Sequence, residues 1–173
     1  MLRDFNLLAT TSRGFEGVAC SELWYLLGEI GDSAPTVDRT GVSGLIAAKT
    51  VLNTFDVIEK FRKVLHERPY EFRYMLRIIP IEKVVRTDLG EIQRVTTELS
   101  SKIGANETFR VTVEKRFTQF ATRDIIEAAA ANIERNVDLN NPNKILLIEI
   151  IDGLTGLSVI KPGEILAVMK EKL

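Results

Sequence analysis

Within Phe5-Asn6-Leu7-Leu8-Ala9-Thr10-Thr11-Ser12-Arg13-Gly14-Phe15-Glu16-Gly17-Val18-Ala19 the hydrophobic pattern changes period, and that change sets the fold. Phe5–Thr11 alternates apolar and polar side chains and reads as a strand, which Ser12-Arg13-Gly14 breaks. Phe15, Val18, Ala19, Leu23 and Leu26 then recur at helical spacing, predicting a helix over Phe15–Leu27 ended by Gly28 or Gly31. Further along, Pro35–Thr40 and Val42–Thr50 read as two strands joined at Thr40-Gly41. Thr54 reads as an N-cap, since its hydroxyl can accept a hydrogen bond from a first-turn amide. The helix behind it presents Phe55, Ile58, Phe61 and Leu65 on one side, and Glu71–Ile81 alternates again as a strand. The order β-α-β-β-α-β is ferredoxin-like: four antiparallel strands with two helices on one face. Such a fold does not dictate an activity.

A second unit follows. Asp88 and Glu91 stand at capping-box spacing, and Ile92, Val95, Leu99 and Ile103 form a helical stripe ended by Gly104. Glu107–Glu114 reads as a strand with Phe109, Val111 and Val113 on one face. Thr122 is expected to cap a helix that buries Ile125, Ile126, Ala129, Ala130, Ile133 and Val137. After the loop Asn140-Asn141-Pro142-Asn143, Ile145–Ile151 and Leu154–Lys161 read as strands turned by Asp152-Gly153. Pro162 suits the first turn of a short final helix. A strand–helix–strand order favours a parallel pair with a right-handed crossover. The class is therefore α+β, a ferredoxin-like βαββαβ unit over residues 1–83 followed by an α/β unit with a mixed sheet over residues 84–173.

Composition sets outer limits on function. With 45% hydrophobic and 27% charged residues, the chain has the make-up of an ordinary globular protein. Its length suffices to bury roughly 70% of the unfolded chain's surface. The single cysteine, Cys20, excludes an intramolecular disulfide and a multi-cysteine metal site. No leader-like pattern opens the sequence, and the longest apolar runs, Leu45–Ala48 and Ile145–Ile148, are far too short to span a bilayer. A cytoplasmic location is expected. The net charge of -1 argues against indiscriminate binding to nucleic acid, but its distribution is uneven. Residues 54–123 hold 14 basic and 10 acidic side chains, whereas residues 1–53 and 124–173 are both net acidic. A local basic patch attracts a phosphate backbone; a solvated helix surface accounts for the same charges without one.

The sequence marks no catalytic machinery. His66 precedes Glu67-Arg68-Pro69 near a helix end, with no oriented partner or nucleophile marked beside it. Cys20, among Val18, Ala19 and Leu23, reads as a small core hydrophobe. None of GxGxxG, GxxxxGK[ST], HExxH or GxSxG occurs. Gly14-Phe15-Glu16-Gly17 precedes a helix, so its amides either hold an anion or only turn the chain. The expectation is a protein that is not an enzyme and carries neither cofactor nor metal.

Basic residues supply the remaining signal. Alternation over 71–81 puts Arg73 and Arg77 on one side of a sheet, with Arg86 just beyond. Arg110 lies opposite Phe109 and Val111, Lys115-Arg116-Phe117 continues from that strand, and Arg123 opens the next helix. Phe117 and Phe120 either stack on unpaired bases or cover the core.

The stretch Glu107-Thr108-Phe109-Arg110-Val111-Thr112-Val113-Glu114-Lys115-Arg116 resembles a THUMP domain, as do the following Thr122-Arg123-Asp124 and Val137-Asp138-Leu139-Asn140-Asn141-Pro142. That resemblance implies a THUMP unit at 84–173 behind a ferredoxin-like one. It also implies binding of tRNA at its acceptor stem and 3′ end, with Arg110, Lys115, Arg116 and Arg123 as contacts. Arg73 and Arg77 join them on the facing argument alone. The most similar subgroup implies an adaptor for a separate tRNA-modifying enzyme, such as an RNA cytidine acetyltransferase. No PP-loop, NPPY or zinc-deaminase signature stands in the sequence, so activity is expected from another polypeptide. The alternatives are a small enzyme or phospho-ligand binder using Gly14–Gly17, and a protein-interaction module.

Overall fold

A computed structural model describes residues 1–172 and divides the chain into two units. The first comprises Met1–Ile81 and takes the chain back from Gly163; the second is Glu82–Pro162. The division thus differs from one cut near residue 83, because the chain beyond residue 162 returns to the first unit.

In the first unit, β1 (Leu7–Thr11) pairs antiparallel with β3 (Leu45–Lys49) on one side and β4 (Met75–Pro80) on the other. β2 (Thr36–Arg39) extends the sheet beside β3, and β10 (Leu166–Ala167) closes the edge of β4, giving the order β10-β4-β1-β3-β2. Helices α1 (Glu16–Glu29) and α2 (Thr54–Glu67) cover one face. Leu23, Leu26, Leu27, Ile58, Phe61 and Leu65 are buried there against Leu7, Ala9, Ile46, Ala48 and Ile78. This is the expected ferredoxin-like arrangement with one additional edge strand.

Three local readings are corrected. The cap of α2 is Asn53, whose Oδ1 accepts from the amides of Phe55 (2.9 Å) and Asp56 (3.2 Å). Thr54 is already helical, and its hydroxyl donates instead to the Asn6 carbonyl at 2.6 Å. The strand expected over 71–81 begins only at Met75, after a 3-10 turn at Pro69–Glu71. Its pairing shifts register, Thr10 facing Arg77 but Thr11 facing Met75, so Leu76 is an extra residue. Such a bulge reverses the alternation. Met75 and Ile78 consequently share the helix-covered core, Arg77 faces away from it, and Arg73 precedes the strand altogether. The unbroken alternation over 71–81 that put Arg73 and Arg77 on one side of the sheet therefore does not hold. Finally, Pro162 starts no helix. The chain instead adds β10 and then α5 (Val168–Glu171), with Leu166 and Val168 in the first core.

The second sheet runs β5-β9-β8-β6-β7. Its strands are β5 (Lys83–Arg86), β6 (Thr108–Arg116), β7 (Asn136–Val137), β8 (Lys144–Ile151) and β9 (Leu154–Ile160). β6 and β8 are parallel, as the crossover predicts, and β8–β9 is the hairpin turned at Asp152-Gly153, with Asp152 at φ 52°. α3 (Leu89–Leu99) is capped by Asp88, whose carboxylate accepts from the Glu91 amide at 3.0 Å. Together with α4 (Thr122–Ala130) it buries Ile92, Val95, Ile125 and Ala129 against Phe109, Leu146, Ile148 and Leu157.

α4 is shorter than its apolar spacing suggests. Arg135 donates to the carbonyls of Ile103 and Gly104, and the chain has turned into β7 by Asn136, leaving Val137 exposed. Thr122 is the first helical residue and not a cap; the cap position is Ala121, which has no side-chain donor or acceptor. Among the described residues, no helix is long and apolar enough to cross a membrane.

Candidate nucleic-acid interface

Strand β6 sorts its side chains by parity. Phe109, Val111 and Val113 pack on the second core, so Arg110, Thr112, Glu114 and Arg116 take the opposite face. At strand rise, Arg110 and Arg116 stand about 20 Å apart. They do not form one cluster. Arg110 donates Nη1 to the Leu139 carbonyl at 3.0 Å. With Asn140, Asn141, Pro142, Ile145 and Pro162 it lines a cavity of about 210 Å3.

Arg116 is engaged elsewhere. Its Nη1 donates to Glu149 Oε2 at 2.8 Å, with Glu149 fully buried and the Arg116 side chain only 16% exposed. The guanidinium supplies the charge that lets a carboxylate sit inside the sheet, a role that competes with the expected RNA contact. A trace of this was visible in the sequence: Glu149 is the one charged residue in the apolar run Ile145–Ile151.

Lys115 and Arg123 are placed differently. Lys115 is exposed at the end of β6 and reaches the Phe120 carbonyl at 3.4 Å. Arg123, the second residue of α4, is 86% exposed, and its one ion pair among the described residues is the surface i,i+4 contact to Glu127 at 3.0 Å. Such a pair contributes only about 0.3–0.5 kcal/mol, so a phosphate can displace it. These two cations thus bracket the β6–α4 connection, residues 117–121. Phe117 within it has φ 60° and is 73% exposed, whereas Phe120 packs partly into the second core.

Arg73 and Arg77 belong to the first unit and the other four cations to the second. Arg73 is exposed, with its guanidinium carbon 5.9 Å from the Tyr74 ring centroid. Arg77 is half-buried between Thr10 of β1 and Ala167 of β10. Arg86, at the end of β5, is exposed.

The Gly14–Gly17 turn already holds an anion of its own. Both Glu16 carboxylate oxygens accept from the Gly14 amide (2.9 and 3.0 Å), and Oε2 also accepts from the Gly44 amide at 3.3 Å. The Gly14 hydrogen bond is the main cause holding the Glu16 carboxyl below its ordinary range. A phospho-ligand would have to expel that side chain. Cys20 is half-buried, and burial pushes its thiol above the ordinary range, away from reactivity. Among the described residues, no group of three His, Cys, Asp or Glu is placed to hold a metal ion.

Residues 86–160 match the model of the THUMP domain. Over 164 residues the chain is 26% identical to an uncharacterized protein of Methanocaldococcus jannaschii, covering 92% of this chain and 41% of that one. Among solved structures, PH1313 from Pyrococcus horikoshii superposes with a TM-score of 0.66 at 19% identity, over 91% of this chain and 55% of that one. TrmN from Thermus thermophilus does so with 0.63 at 16%, over 90% and 45%. A 4-thiouridine synthetase solved as an RNA complex with bound ATP gives 0.56 at 16%, over 91% and 42%. The chain therefore spans about half the length, or less, of these relatives, and at these identities the superpositions establish the fold alone. With the mixed sheet, its two helices and the matched segment in agreement, this chain carries a THUMP domain over residues 86–160.

Proposed function

We propose that this chain is a non-catalytic RNA-binding module that holds tRNA by its acceptor stem and 3′ end for a separate modifying enzyme. The observation that carries the reading is the pair of exposed cations, Lys115 and Arg123, at the β6–α4 connection of a THUMP domain. Arg110 adds a third positive charge farther along β6. The RNA complex of the structurally similar 4-thiouridine synthetase supports the same substrate class. In this reading the protein acts in the cytoplasm beside an enzyme such as an RNA cytidine acetyltransferase. The outward residues Val18, Trp24 and Tyr25 of α1 are exposed and available to a protein partner.

Phosphate contacts should dominate the affinity. The logarithm of the binding constant is expected to fall by about 0.7 per neutralised single-strand phosphate for each unit of log salt. Reversing Arg110, Lys115 and Arg123 together to Glu is expected to abolish binding to intact tRNA and leave thermal unfolding essentially unchanged. Removing the 3′ terminal nucleotides of the tRNA should weaken binding to the unmodified protein. A triple variant that still binds like the parent overturns the site.

A further inference from the structure

Phe117 stands where neither the core nor the turn calls for it. The residues of β6 that face the helices are Phe109, Val111 and Val113, and a straight continuation would bring Phe117 to the same side. The backbone instead enters the left-handed region at φ 60° and leaves the ring 73% exposed. Bulky residues avoid that region, which glycine or asparagine occupies at little cost. An aromatic ring held in solvent at such a position adds no burial to offset the strain, and strained residues of this kind concentrate at functional sites.

Its neighbours fix the backbone on either side of it. The carbonyl of the preceding Arg116 accepts from the Asp152 amide at 2.7 Å, and the Arg116 guanidinium is anchored on buried Glu149. On the other side, the Phe120 amide donates to Thr118 Oγ1 at 3.2 Å, and the Phe120 ring packs partly into the core. Both ends of the connection are fixed, so little ordering remains to be done on binding. Exposed Lys115 and Arg123 flank it.

From this geometry, and resting on the RNA-binding reading above, we propose that the Phe117 ring is a stacking platform for one unpaired base, with Lys115 and Arg123 holding the adjoining phosphates. Every nucleobase has a π-face, so the platform accepts any base. A base stacked inside a duplex does not offer that face, so the ligand is a single-stranded segment.

The test compares a hairpin RNA bearing a short single-stranded 3′ overhang with the same hairpin made blunt, at one salt concentration. The parent protein is expected to prefer the overhang. Phe117→Ala should lose about tenfold to a hundredfold in affinity for the overhang RNA and keep its affinity for the blunt one. Phe117→Trp should retain the preference, and Phe117→Leu, which keeps apolar bulk without an aromatic face, should lose it. Thermal unfolding of each variant checks that it is folded. If the parent prefers the overhang and Phe117→Ala does so equally, the platform is wrong and RNA binding stands. If the parent binds neither RNA, the RNA-binding reading falls and the platform with it.

Discussion

Arg116 and Arg123 are the same residue type in one basic stretch, yet burial gives them opposite roles. Arg116→Ala would take the ion-paired guanidinium away from the buried Glu149 carboxylate, a loss of about 3–5 kcal/mol for such pairs. Arg123→Ala removes only a solvent-screened contact and should change stability by less than about 0.5 kcal/mol. The expected outcome is a large drop in thermal midpoint for the first variant. For the second, the midpoint should hold and tRNA affinity should fall. Equal thermal midpoints for the two variants would refute the assignment. The cations themselves were legible in the sequence; their partners were not. Glu149 lies opposite Glu114 in the parallel register, and Arg116 reaches it diagonally, a relation that exists only once β6 and β8 are aligned.

Among elements, those with a sustained hydrophobic period were readable and those without it were not. β6, where Phe109, Val111 and Val113 alternate, and the helices α2 and α3 carry clear periods, whereas β5 and β10, with four and two residues, are too short to show one. The bulge at Leu76 arises from how β4 meets Thr10 and Thr11 of β1, so no window of its own sequence discloses it. The junction of these elements also supplies a pH-dependent contribution. Asp32, beyond the end of α1, is buried and accepts from Thr50 Oγ1 (2.5 Å), the Ala34 amide (3.1 Å) and the Val51 amide (3.2 Å). Burial works to raise its carboxyl, but the three hydrogen bonds outweigh it and the net displacement is downward.

With a folded value below the unfolded one, the unfolded chain binds more protons as acid is added. The stabilisation is complete above the unfolded value of about 3.9 and is lost as pH falls through the lower folded value. Asp32→Asn is therefore expected to flatten the acid limb of the stability profile, as measured by urea titration between neutral and strongly acidic pH. At neutral pH it should cost about 1–3 kcal/mol through imperfectly satisfied donors. An unchanged acid limb would exclude Asp32 as its source.

For the molecule as a whole, the decisive fact is the return of the chain beyond residue 162 to the first unit. Arg62 on α2 holds that segment, donating Nε to Glu171 at 2.6 Å and Nη2 to the Gly163 carbonyl at 2.5 Å. Lys172 donates to the Phe72 carbonyl at 2.6 Å, and Leu166 and Val168 fill the first core. Burying each of those two side chains contributes about 1.5–3 kcal/mol. Truncation after Pro162 is expected to cost several kcal/mol and to uncover the edge of β4, a template for association between molecules. Calorimetry should show the transition of the first unit falling while that of the second persists; a parallel fall of both would contradict the division. The repeated α/β order disclosed the two units, but a two-residue strand and a one-turn helix carry too little pattern to say which sheet they join.

That return has a consequence for biosynthesis. The ribosome releases residues 1–81 first, then all of Glu82–Pro162, and only afterwards the segment that completes the earlier sheet. Of these two units, the one translated earlier is thus the later to mature, and it waits with an unsealed strand margin while the other folds.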